Sequence, residues 1–286
     1  MILRSLIRRW DGLLPLIFVV LWALVGLVSL LWTPYALTDT DGYSVWAAPS
    51  AAHVLGTDGA GADIATWLMA GSATEFAIVV AVIALTAVLG VGGVALSVAH
   101  SARVRSVSVL VIDALISIPT VVIALILAAP AGASVLAVIL ACSIVYALNL
   151  MRVVRPAAAA AARSQYVVYA RYKGVSEWRI FVQHILPQVM PSVIITVSHS
   201  AATAILAESG LTYLGIGVPA HVASWGQSLA TAARFVTLHP ATAIWPGLLI
   251  TVAVIALNIL GDAVRECADP LTNPLLRGDR TQEVKN

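Results

Sequence analysis

Residues 166–191, YVVYARYKGVSEWRIFVQHILPQVMP, form a polar island between long apolar runs and carry Arg171, Lys173, Arg179 and His184. The pattern predicts two short helices hinged at Gly174, where a tight reversal calls for a residue at positive φ. Ser176 is placed to cap the second helix, its hydroxyl accepting from the backbone N–H of Trp178 or Arg179. Ile180, Phe181, Ile185 and Leu186 make an apolar stripe at helical spacing. Pro187 is expected to end that helix before the next apolar run. Two readings stand from these residues alone: an amphipathic pair lying on lipid headgroups, or a loop onto which a soluble protein docks.

Everything around this island reads as membrane. The chain of 286 residues is 60% hydrophobic and only 10% charged, against about 25% charged residues in a soluble domain. Apolar runs of about 20 residues, uncharged except for Asp113 in the third, occur at 12–32, 76–99, 106–129, 134–151, 189–207 (continuing past Glu208) and 241–261. Six transmembrane helices are expected, because only an internally bonded backbone survives in lipid. Of the 16 Lys and Arg, 15 fall on one side: Arg4, Arg8, Arg9, Arg103, Arg105, six from Arg152 to Arg179, then Arg265, Arg277, Arg280 and Lys285. Only Arg234 falls outside this set. The positive-inside rule then puts both termini in the cytoplasm, and topology accounts for the net charge of +2 without a nucleic-acid partner. The first run is longer than a secretory signal core, and no small-residue cleavage site follows it, so it is expected to be a retained span.

Catalytic signatures are missing from the sequence. It has no phosphate-cradling G-x-x-x-x-G-K-[ST] loop and no H-E-x-x-H pair. Cys142 and Cys267 lie far apart, with no disulfide or metal-ligand spacing. No metal site and no cofactor are expected on this chain. An ion-coupled secondary transporter is a competing class, because such proteins bury ionisable groups in the bilayer. Only Asp113 and Glu208 are candidates. Asp113 precedes Pro119, which leaves the Leu115 carbonyl without its helical donor, and reads as a polar clasp between helices or as part of an ion path. Glu208 reads as reaching the outer interface or as a gate. With no intramembrane Lys or Arg to pair with, two isolated carboxylates make a poor proton relay.

Four segments resemble the permeases of binding-protein-dependent ABC importers. The inner loop is similar to their EAA-type motif at Tyr169-Ala170, Gly174 and His184-Ile185-Leu186-Pro187. His53-Val54-Leu55-Gly56-Thr57-Asp58 with Gly61 and Asp63 resembles the outer segment of C-type permeases of the dipeptide/oligopeptide/nickel branch. ESGLTYLGIG from Glu208, followed by Ser224-Trp225-Gly226, resembles a second such segment. Trp245-Pro246-Gly247, then Asn258-Ile259-Leu260-Gly261-Asp262, Arg265 and Asp269-Pro270, resembles the closing signature. The family's usual Ala-Ala is Tyr169-Ala170 here, and its alanine–leucine pair is Tyr172-Lys173. The docking surface is therefore bulkier and more basic, as for a dedicated partner.

The resemblance implies an all-α, type I ABC importer permease fold in a bacterial inner membrane. Residues 1–71 would hold the N-terminal tail, first span and outer loop. Residues 72–270 would form the permease core with the coupling loop 155–188, and residues 271–286 a cytoplasmic tail. Tyr169, Ala170, Gly174, Ser176, Glu177, Ile180, His184, Leu186 and Pro187 would couple to the ATPase. Gly56, Thr57, Asp58, Asp63, Glu208 and Trp225 are the outer-face candidates. Asp39, Asp41, Asp58 and Asp63 read either as turn formers or as attractors of a cation or a basic patch. Trp225, like Trp32, Trp46 and Trp245, reads as an interface-belt aromatic. The implied partners are a homologous permease, two ABC ATPase subunits (or one fused ATPase) holding ATP and Mg, and an outer binding protein. The implied cargo is a short peptide, with nickel or glutathione as alternatives.

Overall fold

The computed structural model describes residues 9–268 together with Leu6. Arg4, Arg8, Asp269, Pro270, Arg277, Arg280, Lys285 and the 271–286 segment lie outside the described residues. Within them every regular element is helical, apart from one isolated bridge between Thr57 and Asp63. The elements are α1 (Trp10–Ser29), α2 (Ile64–Ser97), α3 (Ala102–Ile116), α4 (Thr120–Ala128) and α5 (Val135–Ala162). They continue as α6 (Gln165–Tyr172), α7 (Glu177–Ile180), α8 (Leu186–Tyr213), α9 (Trp225–Ala233) and α10 (Pro240–Ala268). Five stretches are long and apolar enough to cross a bilayer: α1, α2, α5, the rod Glu177–Tyr213 and α10.

Several helices outrun or break the apolar runs, each for a local reason. The helix expected to start near Phe76 begins at Ile64, where the Asp63 carboxylate accepts from the Thr66 N–H at 2.7 Å and caps it. Glu75 interrupts the uncharged run but not the helix, whose 34 residues span about 51 Å. The run at 134–151 continues as α5 to Ala162 through an alanine-rich stretch of high helix propensity. Arg152 and Arg155 therefore stand on a helix rather than in a loop.

The 106–129 run, expected as one span, is two helices separated by Ser117, Ile118 and Pro119. Pro119 has no N–H and pushes Ile118 out of helical geometry. The Leu115 carbonyl, expected to lack a donor, accepts from the Ile118 N–H at 3.2 Å. The Arg152 guanidinium donates to the Ile116 carbonyl at 2.9 Å, and Arg155 pairs with Asp113 at 2.6 Å. Asp113 is thus a clasp between α3 and α5, and the expectation of a carboxylate without a basic partner is corrected. The α3–α4 pair buries few large side chains, Ile112 and Ile123 among them, and leaves Leu110, Val111, Ile126 and Leu127 exposed.

Candidate functional site: an inner turn and an outer carboxylate cluster

The inner turn starts from the 166–191 stretch. Helix α6 ends at Tyr172, and Gly174 reverses the chain at φ +75°, as expected of a hinge glycine. A Cβ built on Gly174 meets nothing within 4 Å, so its demand for glycine is conformational and not steric. Ser176 stands at the N-cap in extended backbone, and its carbonyl accepts from the Ile180 N–H at 3.0 Å. The side-chain cap expected of its hydroxyl is not made. The turn is braced instead by a two-pronged bond: Arg171 donates to Glu177 from Nε at 3.0 Å and from Nη2 at 3.2 Å.

Pro187 does not end the second helix. Glu177–Ile180 passes through a π turn, Phe181–Ile185, straight into α8, making one rod from Glu177 to Tyr213. The Leu186 N–H reaches back to the Phe181 carbonyl, five residues earlier. Such a widened turn absorbs the missing proline donor without a break. A short helix at the turn is therefore mechanically continuous with a membrane helix.

The apolar stripe is the seat of this unit. Val167, Ala170, Ile180, Phe181 and Ile185 are buried against Val94, Leu150, Val154, Ala158 and Ala161 of α2 and α5. His184 meets the Tyr166 ring edge-on at 5.9 Å, which ties the two short helices together. What faces outward is aromatic and basic: Tyr169, Tyr172 and Trp178 are largely exposed, with the Lys173 ammonium over the Tyr169 ring at 5.1 Å. Of the sequence candidates, Ala170, Ile180 and partly buried Leu186 hold the seat. Tyr169, the turn at Gly174, Glu177 and Pro187 present the surface.

The outer segment folds around its own polar side chains. Asp58 Oδ1 accepts from the N–H groups of Ala60 and Ala62, at 2.8 and 2.9 Å. Thr57 accepts from the Ala47 N–H and donates to the Ser44 carbonyl. Asp63 is buried, and besides capping α2 it pairs with His53 Nδ1 at 2.9 Å. Gly56 and Gly61 take φ of +81° and +77°, and a Cβ on either would strike a carbonyl, that of Ala47 or Asp41. The Ser44 hydroxyl and then the Tyr43 N–H hold the Asp41 carboxyl below the usual carboxylate range. Asp39 accepts from the Ala36 N–H at 3.3 Å. All four acids thus serve as local turn or cap formers. A cavity of about 80 Å³ lies beside Asp58, Trp46 and Trp67. It has room for two or three waters, which is too little for a peptide.

Glu208 and Trp225 meet in the interior. Glu208, expected at the interface, is fully buried, and its carboxylate accepts from the hydroxyls of Thr212 (2.8 Å), Ser209 (3.1 Å) and Ser224 (3.2 Å). Ser224 in turn caps α9 by accepting from the Gln227 N–H at 3.0 Å. The partner that sequence reasoning missed is Glu75 of α2. It is fully buried beside Glu208, and its Oε1 accepts from the Trp225 N–H at 3.1 Å. A scan for uncharged runs excludes such a residue by construction. The signal that could have found it is the apolar helical pattern continuing on both sides, from Ile64 to Ser97.

Trp225, expected in an interface belt, is core. Its indole N–H donates to the Leu68 carbonyl at 3.0 Å, and its ring lies 5.2 Å from Trp22 of α1. Close approach depends on small residues: a Cβ on Gly71 would sit 3.1 Å from Ser224, and one on Gly226 would press on the Glu208 carboxylate at 2.8 Å. Elements α1, α2, α8 and α9 are thereby locked at one polar knot. Trp245 of the closing signature packs against the cluster that holds Trp225, and further along α10 Asn258 and Asp262 face the His199 ring of α8 at 3.4 and 3.5 Å.

Comparison with known proteins agrees with this architecture. Residues 89–273 match the family model described as binding-protein-dependent transport system inner membrane component. The nickel transport system permease protein NikC of Escherichia coli (strain K12) is 32% identical over 264 residues, covering 92% of this chain and 95% of the relative. A putative peptide transport system permease protein of Brucella suis is 31% identical, covering 93% and 90%. The oligopeptide transport system permease protein OppC of Bacillus subtilis is 28% identical, covering 91% and 85%. Several apolar membrane helices, a helical turn rigidly joined to one of them, and a match over most of the chain lead to one conclusion: this chain belongs to the family of inner-membrane permease components of binding-protein-dependent ABC importers.

Proposed function

We propose that the chain forms one half of the translocation path of an ATP-driven importer for short peptides delivered by an outer binding protein. The observation that carries the mechanism is the unbroken rod from Glu177 to Tyr213. An ATPase gripping the Tyr169–Tyr172–Trp178 face moves a body whose far end holds Glu208. Rotation at the inner turn then reaches the outer knot without passing through a flexible joint. In this reading ATP and Mg sit on two partner ATPase subunits, or one fused ATPase, and this chain catalyses nothing. The homologous second permease packs against the exposed apolar face of α3 and α4. The chain crosses the bilayer six times, the α3–α4 pair making the third crossing as a broken helix, with both termini in the cytoplasm. Residues 72–270 form the permease core.

Nickel is the second reading, favoured by the 32% identity to the E. coli nickel permease. Reconstitution with the partner subunits in proteoliposomes separates the two. Labelled di- and oligopeptides should enter with ATP inside, and labelled nickel should not. Nickel uptake without peptide uptake overturns the cargo. Specific nucleotide binding by the isolated chain overturns the permease reading itself.

A further inference from the structure

At the end of the bundle that carries the inner turn, a cavity of about 320 Å³ opens between the end of α2, the start of α3 and the end of α5. Arg105, Arg163 and Arg171 line it together with Ser97, and no carboxylate does. Arg171 is committed to Glu177 and to the Ala162 carbonyl. Among the described residues neither Arg105 nor Arg163 is ion-paired, although Arg105 donates one N–H to the Ala99 carbonyl at 3.1 Å. Arg105 and Arg163 thus leave two uncompensated positive charges on one small space, and an anion there would offset them.

A second observation says which anion. A groove of about 550 Å³ runs between the same three helices, lined by apolar side chains and a single serine, Ser108. Its nearest residues adjoin the basic cavity: Leu96 precedes Ser97, and Ser108 lies one turn beyond Arg105. Helix α2 runs apolar up to Ser97, so the basic cavity falls where the hydrocarbon ends. A basic socket next to an apolar trough between the same helices matches the polarity of a phospholipid.

We propose that Arg105 and Arg163 hold the phosphate of one anionic phospholipid beside the Arg171–Glu177 pair, with an acyl chain lying in the α2–α3–α5 groove. Basic pockets between membrane helices on the cytoplasmic side suit such headgroups. The bound lipid would fasten the loosely packed α3, through Arg105, to the base of the coupling turn, through Arg163 just ahead of α6. The proposal rests on the membrane placement of these helices and not on the cargo or on the direction of transport.

The test uses the full chain, alone and assembled with its partners, released from nanodiscs of phosphatidylglycerol and phosphatidylcholine into native mass spectrometry. The chain should retain one phosphatidylglycerol in preference to phosphatidylcholine. The double variant Arg105→Gln/Arg163→Gln should retain about 30-fold less, whereas Arg103→Gln, outside the cavity, should match the wild type. Gly92→Phe separates lipid from free phosphate. Gly92 lines the groove and a Cβ there has open space, so the phenyl ring fills the trough without a clash at its root. It should abolish lipid retention while binding of inorganic phosphate, measured by calorimetry, is unchanged. Equal retention of phosphatidylcholine, or no effect of the double variant or of Gly92→Phe, overturns the proposal. So does loss of the lipid on assembly, which would assign the cavity to an acidic segment of a protein partner. None of these outcomes bears on peptide or nickel uptake.

Discussion

Gly174→Val is the sharpest probe of the inner turn. The residue sits at φ +75°, and nothing lies within 4 Å of the Cβ that a substitution would add. The cost is therefore backbone strain alone, with no contribution from crowding. An ordinary L-residue held in the left-handed region costs about 1–2 kcal/mol, and a β-branched one belongs at the upper end of about 1–3 kcal/mol. Strain of this size is relieved by re-aiming α6 against α7, and docking an ATPase must reverse the re-aiming. A penalty of about 2 kcal/mol lowers the docked population about 30-fold. The expected series is Gly174→Asn near wild type, since asparagine tolerates this conformation, then Gly174→Ala, then Gly174→Val. The assay is copurification of the ATPase with the membrane-inserted permease, together with hydrolysis stimulated by loaded binding protein. Wild-type docking in Gly174→Val would refute the reasoning, as would an Asn variant as impaired as the Val variant. Glu177→Ala is the control: it removes a half-exposed ion pair with Arg171, worth about 0–1 kcal/mol, and should be milder.

Three further outcomes follow from the same geometry. Pro187→Ala restores a backbone donor and lets the π turn relax to α, rotating α7 by roughly 100° about the rod axis; stimulated hydrolysis should fall on the order of tenfold, and unchanged coupling would count against a rigid rod. At the outer knot, Trp225→Ala should destabilise by about 3–5 kcal/mol, and Glu208→Ala by about 1–3 kcal/mol for each hydroxyl left without its acceptor, with Glu208→Gln milder; thermal unfolding in detergent measures this, and a wild-type midpoint for Glu208→Ala would refute the hub. Asp113→Asn weakens a partly exposed clasp by no more than about 1 kcal/mol; uptake should slow modestly yet still need ATP and ignore collapsed proton and sodium gradients, and uptake abolished by an ionophore with ATP present would revive a secondary transporter.

The local features were legible in the chain because each depends on residues close in sequence. Apolar runs longer than a bilayer must be helical, whatever surrounds them. The glycine at 174 marks its own positive φ, and the outer segment's glycines and aspartates build turns from their immediate neighbours. The same locality explains the misjudged ends: a scan for uncharged runs stops at Glu75 and at Arg152, although a helix continues through both, with the Glu75 head group taking the Trp225 N–H and Arg152 donating to the Ile116 carbonyl.

What only the tertiary structure decided was pairing at a distance. Glu75 and Trp225 are 150 residues apart, and nothing in either neighbourhood announces the other. Asp113 looked unpartnered until α5 brought Arg155 alongside, and Pro187 looked like a stop until the π turn carried the helix past it. A sequence specifies the period and length of each helix through short-range sterics and solvation. Which faces meet, and which buried charge meets which donor, is set by packing all the helices at once.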